Sequence, residues 1–110
     1  MQTESEIIET FKAYASQDLV RLRAEEEQES YFDVYGEPDS AQEREELVRL
    51  IDLYGCWRIV TEVFIGGAWH HCDCVGCCAG YRNVLDPREN AYVIDIMRSA
   101  IEMIDASVCV

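Results

Sequence analysis

Apolar residues recur at three- and four-residue steps over the start of the chain, at Ile8, Phe11, Ala15, Leu19 and Leu22. That spacing winds a single apolar stripe around a helix, and Thr3 followed by Glu6 has the form of a reciprocal side-chain cap that opens one. The pattern predicts an amphipathic helix over residues 4–28. Its far end would carry Glu25, Glu26, Glu27 and Glu29, which oppose the negative pole of the helix dipole and predict a fraying, solvated acidic tip. Tyr31 to Asp39 holds three aromatic rings with Gly36 and Pro38 and reads as an ordered connection, since a disordered linker carries fewer rings. Ser40 with Glu43 repeats the capping pattern, and Leu47, Leu50, Ile51 and Tyr54 mark one face of a second helix that Gly55 closes.

From Trp57 to Ile65 the period changes to two, with Ile59, Val63 and Ile65 alternating with Arg58 and Glu62. Gly66-Gly67 supplies a tight hairpin turn, and a returning strand begins at Ala68. An unbroken register places Val63 opposite His70, Thr61 opposite Cys72 and Ile59 opposite Cys74, with Phe64 opposite Trp69 and Glu62 opposite His71. The cysteines then share the inner face. Asp86, Pro87 and Glu89 form a helix start, continued by Val93, Met97, Ala100, Ile101 and Ile104 to about residue 106. The predicted order is α-α-β-β-α. It defines a small α+β fold in one domain, residues 1–110, with helices packed on one face of a short antiparallel hairpin or sheet and a cysteine-rich loop.

Charge divides this domain unevenly. The chain has 22 acidic and 9 basic residues, a formal net charge of −13, and the carboxylates gather around the first connection: Glu25, Glu26, Glu27, Glu29, Asp33, Glu37, Asp39, Glu43, Glu45 and Glu46. Such a surface repels nucleic acid and anionic membranes and attracts a basic protein surface; otherwise it serves only to solvate the domain. With Lys12 as the one lysine and the arginines scattered, direct nucleic-acid binding is not expected. Residues 1–10 show no secretory signal and no apolar run reaches membrane-spanning length, so the expected setting is the cytoplasm, where thiols stay reduced.

Reduced thiols matter because residues 70–78 read His70, His71, Cys72, Asp73, Cys74, Val75, Gly76, Cys77, Cys78. Zinc takes deprotonated sulfur and imidazole at short spacing, and four protein ligands with no vacancy make a structural site. The expected ligands of a structural zinc are Cys72, Cys74, Cys77 and Cys78. Cys74 and Cys77 are the two-residue-spaced pair with Gly76 between them, and His70, Cys56 and Cys109 are alternatives for the fourth position. An iron-sulfur centre or a row of buried, metal-free thiols would use the same residues. No nucleophile motif accompanies them. Glu62 opposite His71 reads as a cross-strand ion pair before it reads as an acid-base pair, and no enzyme activity is expected.

In size, charge and the run His70-His71-Cys72-Asp73-Cys74-Val75-Gly76-Cys77-Cys78, the chain resembles the small acidic phage-encoded anti-CRISPR proteins, a few of which are built around zinc and obstruct a Cas9-type effector. The resemblance covers the whole chain as a profile. It implies an inhibitor in the bacterial host cell that binds a Cas nuclease and prevents target DNA from loading, as a DNA mimic or by gripping a recognition lobe. Those effectors hold nucleic acid in a positively charged channel, which matches an acidic inhibitor. The other reading of the same residues is a zinc-stabilised host adaptor or regulatory module whose contact is made by the aromatics near Tyr31.

Overall fold

The computed structural model describes residues 2–108 as seven elements: α1 (Glu4–Ser16), β1 (Val20–Glu26), α2 (Tyr31–Tyr35), α3 (Ala41–Tyr54), β2 (Cys56–Ile65), β3 (Ala68–Ala79) and α4 (Tyr92–Val108). The strands make one antiparallel sheet in the order β1-β2-β3, and the class is α+β. Among the described residues, no helix is long and apolar enough to cross a membrane.

The first helix is half as long as its apolar spacing predicts. The Thr3 cap forms in both directions: Thr3 Oγ1 accepts from the Glu6 amide at 3.2 Å and Glu6 Oε1 accepts from the Thr3 amide at 3.3 Å. The helix then stops at Ser16, because Asp18 turns into the left-handed region (φ 58°) and the Leu19 amide closes back on the Tyr14 carbonyl at 3.0 Å. Aspartate tolerates that conformation better than most side chains. Beyond it Val20, Leu22 and Ala24 alternate with Arg21, Arg23 and Glu25, a period of two that Leu19 and Leu22 had also satisfied as helix. Pairing of Val20 with Val63, Leu22 with Thr61 and Ala24 with Ile59 puts the apolar set inward. As strand and loop, the run Glu25–Glu29 also escapes the unfavourable end of a helix dipole.

The hairpin turns at Gly66-Gly67, whose φ values of 64° and 83° suit a two-residue turn. Near the turn the pairs Val63–His70, Phe64–Trp69 and Glu62–His71 fall as expected. Further on, β3 is longer than β2, 12 residues against 10, and two bulges absorb the difference. The first leaves Cys72 without a partner and pairs Thr61 with Asp73, Val60 with Cys74 and Ile59 with Val75; the second lies across from Arg58. The expected pairs Thr61–Cys72 and Ile59–Cys74 are therefore corrected by one position, and a one-residue slip exchanges faces.

Asp86 caps only a single turn, its Oδ1 accepting from the Arg88 amide at 2.9 Å. The predicted helix from Asp86 is corrected to one beginning at Tyr92. Asn90 resets the chain: fully buried, it donates from Nδ2 to the Val84 carbonyl at 3.0 Å and accepts the Tyr92 amide on Oδ1 at 3.2 Å. From there α4 buries Val93, Ile96, Met97, Ala100, Ile101 and Ile104 against Ile59 and Val63 of the sheet and Ile7 and Phe11 of α1. Thr61 Oγ1 satisfies its buried polarity on the Ile96 carbonyl at 3.3 Å. Burying each large aliphatic side chain stabilises the fold by about 1.5–3 kcal/mol, so this sandwich of α1, α4 and sheet is the folding core.

Neither α2 nor α3 contributes a buried residue. Together they form an appendage to this core, and the Cα radius of gyration of 16.0 Å with extents of 53 × 27 × 20 Å exceeds the roughly 13 Å of a compact chain this long.

Candidate functional site

The appendage carries six of the ten carboxylates that gather around the first connection: Asp33, Glu37, Asp39, Glu43, Glu45 and Glu46. Ser40 caps α3 through the Glu43 amide at 3.1 Å. At the other end Gly55 has φ 86°, and a Cβ there would lie 2.8 Å from Trp57 Nε1. The bare α-carbon lets the indole reach back and donate to the Tyr54 carbonyl at 2.8 Å, so α3 is tied to the sheet at its C-terminal end. Along its length Leu47, Val48, Leu50 and Ile51 remain partly exposed, and Leu53 is 60% exposed. A 14-residue helix has little stability of its own in water, and it normally covers such a stripe against something.

The ten carboxylates proposed for partner binding divide by what they already hold. Glu25 lies on the outer sheet face, 2.7 Å from Arg23 and 3.6 Å from Arg58. Glu37 pairs with Arg44 at 2.8 Å and Glu46 with Arg49 at 2.7 Å. Glu27 is a structural anchor: it accepts from the backbone amides of Cys77 (2.9 Å), Gln28 (3.0 Å) and Glu29 (3.3 Å), and these bonds, led by Cys77, lower its pKa. Among the described residues Glu26, Glu29, Asp33, Asp39, Glu43 and Glu45 make no ion pair. Those six are the carboxylates left to meet an external cation.

The structure does not bring the cysteines of β3 to one point. Cys72, in the first bulge, packs against the core and neighbours Thr61. Cys74, expected on the same face, is turned outward, where Arg58 Nη2 lies 3.6 Å from its sulfur. Cys77 is buried in the second bulge at φ 53°, beside Cys56 and held by Glu27, while Cys78 enters the core near Asn90. Cys109 lies outside the described residues. His70 bonds the Ile65 carbonyl through Nε2 at 3.1 Å, and His71 is exposed. Among the described residues no three His, Cys, Asp or Glu side chains converge as ligands. Burial raises the Cys72, Cys77 and Cys78 thiols and pushes Cys56 up to about 11, helped by Cys77. In this arrangement the sulfurs of Cys72, Cys74, Cys77 and Cys78 do not surround a single point.

The outer face of the sheet holds residues that motif reading passed over. Glu62 accepts from Arg21 Nε at 3.0 Å and Arg23 Nε at 2.9 Å, which lowers its pKa, and Arg21 also lies 4.1 Å above the Trp69 ring. Glu62 is thus committed across to β1, and His71 is not its ionic partner. The signal was the alternation of Arg21 and Arg23 with apolar residues, legible once residues 20–26 are taken as strand.

Fold and surface together describe a small α+β domain bearing an acidic helical arm. No family model matches the chain, and neither do curated proteins or solved structures.

Proposed function

We propose that the chain is a non-enzymatic binding protein whose acidic arm engages a cationic protein surface. The nucleic-acid channel of a Cas9-type effector, inside the bacterial host cell, is the surface that the resemblance to anti-CRISPR proteins singles out. Occupying that channel would keep target DNA from loading. The observation that supports this reading is α3, amphipathic and without a buried residue, standing beside Asp33, Asp39, Glu43 and Glu45, which make no ion pair among the described residues. Charge complementarity would speed the encounter and select the partner, while the apolar stripe would supply the contact that slows release. The reading does not depend on whether zinc binds the cysteines of β3.

Binding of the chain to a guide-loaded effector, read by displacement of a labelled target duplex, tests it. Affinity is expected to fall steeply with added salt and, at fixed salt, by on the order of tenfold when Glu43, Glu45 and Glu29 all become glutamine. Unchanged affinity in that variant contradicts the proposal. The adaptor reading has its own support in Val34 and Tyr35 of α2, 47% and 54% exposed; it predicts salt-insensitive binding that Tyr35→Ala abolishes.

A further inference from the structure

Four of the chain's six tyrosines line a single cavity. Tyr31 and Tyr35 of α2, Tyr81 after β3 and Tyr92 at the start of α4 surround a hollow of about 310 Å³ whose floor includes Cys77 and Cys78. The Tyr31 and Tyr35 ring centroids are 4.8 Å apart at an interplanar angle of 41°, so these two rings do not stack flat on each other. Tyr35 and Tyr92 are about half exposed, 54% and 50%. Phe11, by contrast, is buried in the core.

We infer that this hollow is a binding site for an alkylammonium group, held among the four tyrosines. A cation above an aromatic ring is attracted by the ring's negative face, and several rings around one hollow are the arrangement that recognises quaternary ammonium and methylated lysine. The volume lies at the small end of ligand cavities, which run from about 300 Å³ upward. Nearby charge favours a cation: the Glu27 carboxylate bonds the Cys77 amide, and Glu29 also acts on Cys77. The positive pole of α4 is opposed by Asp95 in its first turn and by the Asn90 oxygen on the Tyr92 amide. Partial desolvation raises the pKa of the Tyr35 and Tyr81 hydroxyls. The chain already uses this interaction on itself, with Arg44 lying 4.7 Å above the Phe32 ring. The site does not depend on α3 engaging any partner.

Two sources present this chemistry, a lysine side chain of a protein, methylated or not, and a free small quaternary ammonium. Protein labelled with ¹³C in the tyrosine rings should be titrated with three probes: N-acetyl-trimethyllysine methylamide, its neutral isostere with carbon replacing the charged nitrogen, and tetramethylammonium chloride. The trimethyllysine probe is expected to shift the four cavity tyrosines and leave Tyr14 and Tyr54 unmoved, with the neutral isostere at least tenfold weaker. Tyr35→Leu and Tyr92→Leu should each weaken binding at least fivefold while the remaining ring signals stay dispersed, and Tyr35→Phe, which keeps the ring, should bind within twofold of the parent. Tighter binding of the lysine probe than of tetramethylammonium assigns the site to a protein side chain; equal binding assigns it to a free ammonium. Equal binding of the neutral isostere, or shifts that avoid these four rings, overturns the inference.

Discussion

Removing the Glu27 side chain should loosen the joint that holds the appendage to the sheet. Its carboxylate is the acceptor for the amide of Cys77, a residue only 6% exposed, and for two amides of the loop that leads into α2. In Glu27→Ala the loop amides return to water at little cost, but the Cys77 amide loses its charged acceptor, for about 1–3 kcal/mol. In a chain of this size that lowers Tm by roughly 4–15 °C. Gly76 supplies an internal control. A Cβ on it would lie 2.8 Å from Glu27 Oε2, so Gly76→Ala should displace the same carboxylate and break the same bond. Once Glu27 is alanine the extra methyl meets nothing, and the double variant should be hardly less stable than Glu27→Ala alone. Chemical denaturation of the four proteins gives the coupling energy directly. Additive losses, or a Glu27→Ala protein melting within a degree of the parent, would refute the proposed anchor.

Asn90→Ala should cost about 2–4 kcal/mol, since it removes both a buried donor to Val84 and the cap of α4, and a calorimetric Tm close to the parent's would contradict that role. Glu62 has its folded pKa lowered by Arg21 and Arg23, so it adds stability above its unfolded pKa, near 4.5, that is lost as pH falls through the lower folded value. Urea unfolding of Glu62→Gln and parent should therefore differ at pH 7 and converge in acid; a constant gap between them would exclude this linkage. Leu53→Ala should leave Tm within about 1–2 °C, because that side chain is 60% exposed on α3; a larger fall would mean that α3 is packed more tightly than the structure shows.

Where periodicity matched a single structure, the sequence was a good guide. The capping pairs Thr3–Glu6 and Ser40–Glu43, the Gly66-Gly67 turn and the apolar face of α4 all stand where their local chemistry puts them. It misled where one pattern fits two periods: Leu19 and Leu22 lie three apart on a helix and also bracket a strand that begins at Val20. Only the demand of β2 for a pairing partner settles that segment, and no local signal carries it. The β3 bulges were hidden for a related reason. Register is a property of two strands, and two extra residues show only when both lengths are known, yet they decide that Cys72 and Cys74 face opposite ways. Asp86 was a true cap for one turn, but the helix waits for Asn90, whose partner at Val84 precedes both. The carboxylate cluster was legible as composition; which members are spent on Arg44, Arg49 or the Cys77 amide required coordinates.

The central claim is that the α2–α3 arm, idle in the free chain, is the contact surface. Amide hydrogen exchange, measured on the free protein and with a guide-loaded Cas9-type effector at saturating concentration, tests it most directly. The account predicts that α3 amides exchange among the fastest of the helical amides in the free chain and become protected in the complex, with residues 25–46 protected alongside. Protection confined to α1, α4 or the outer face of the sheet, with α3 exchanging as fast as before, would contradict it.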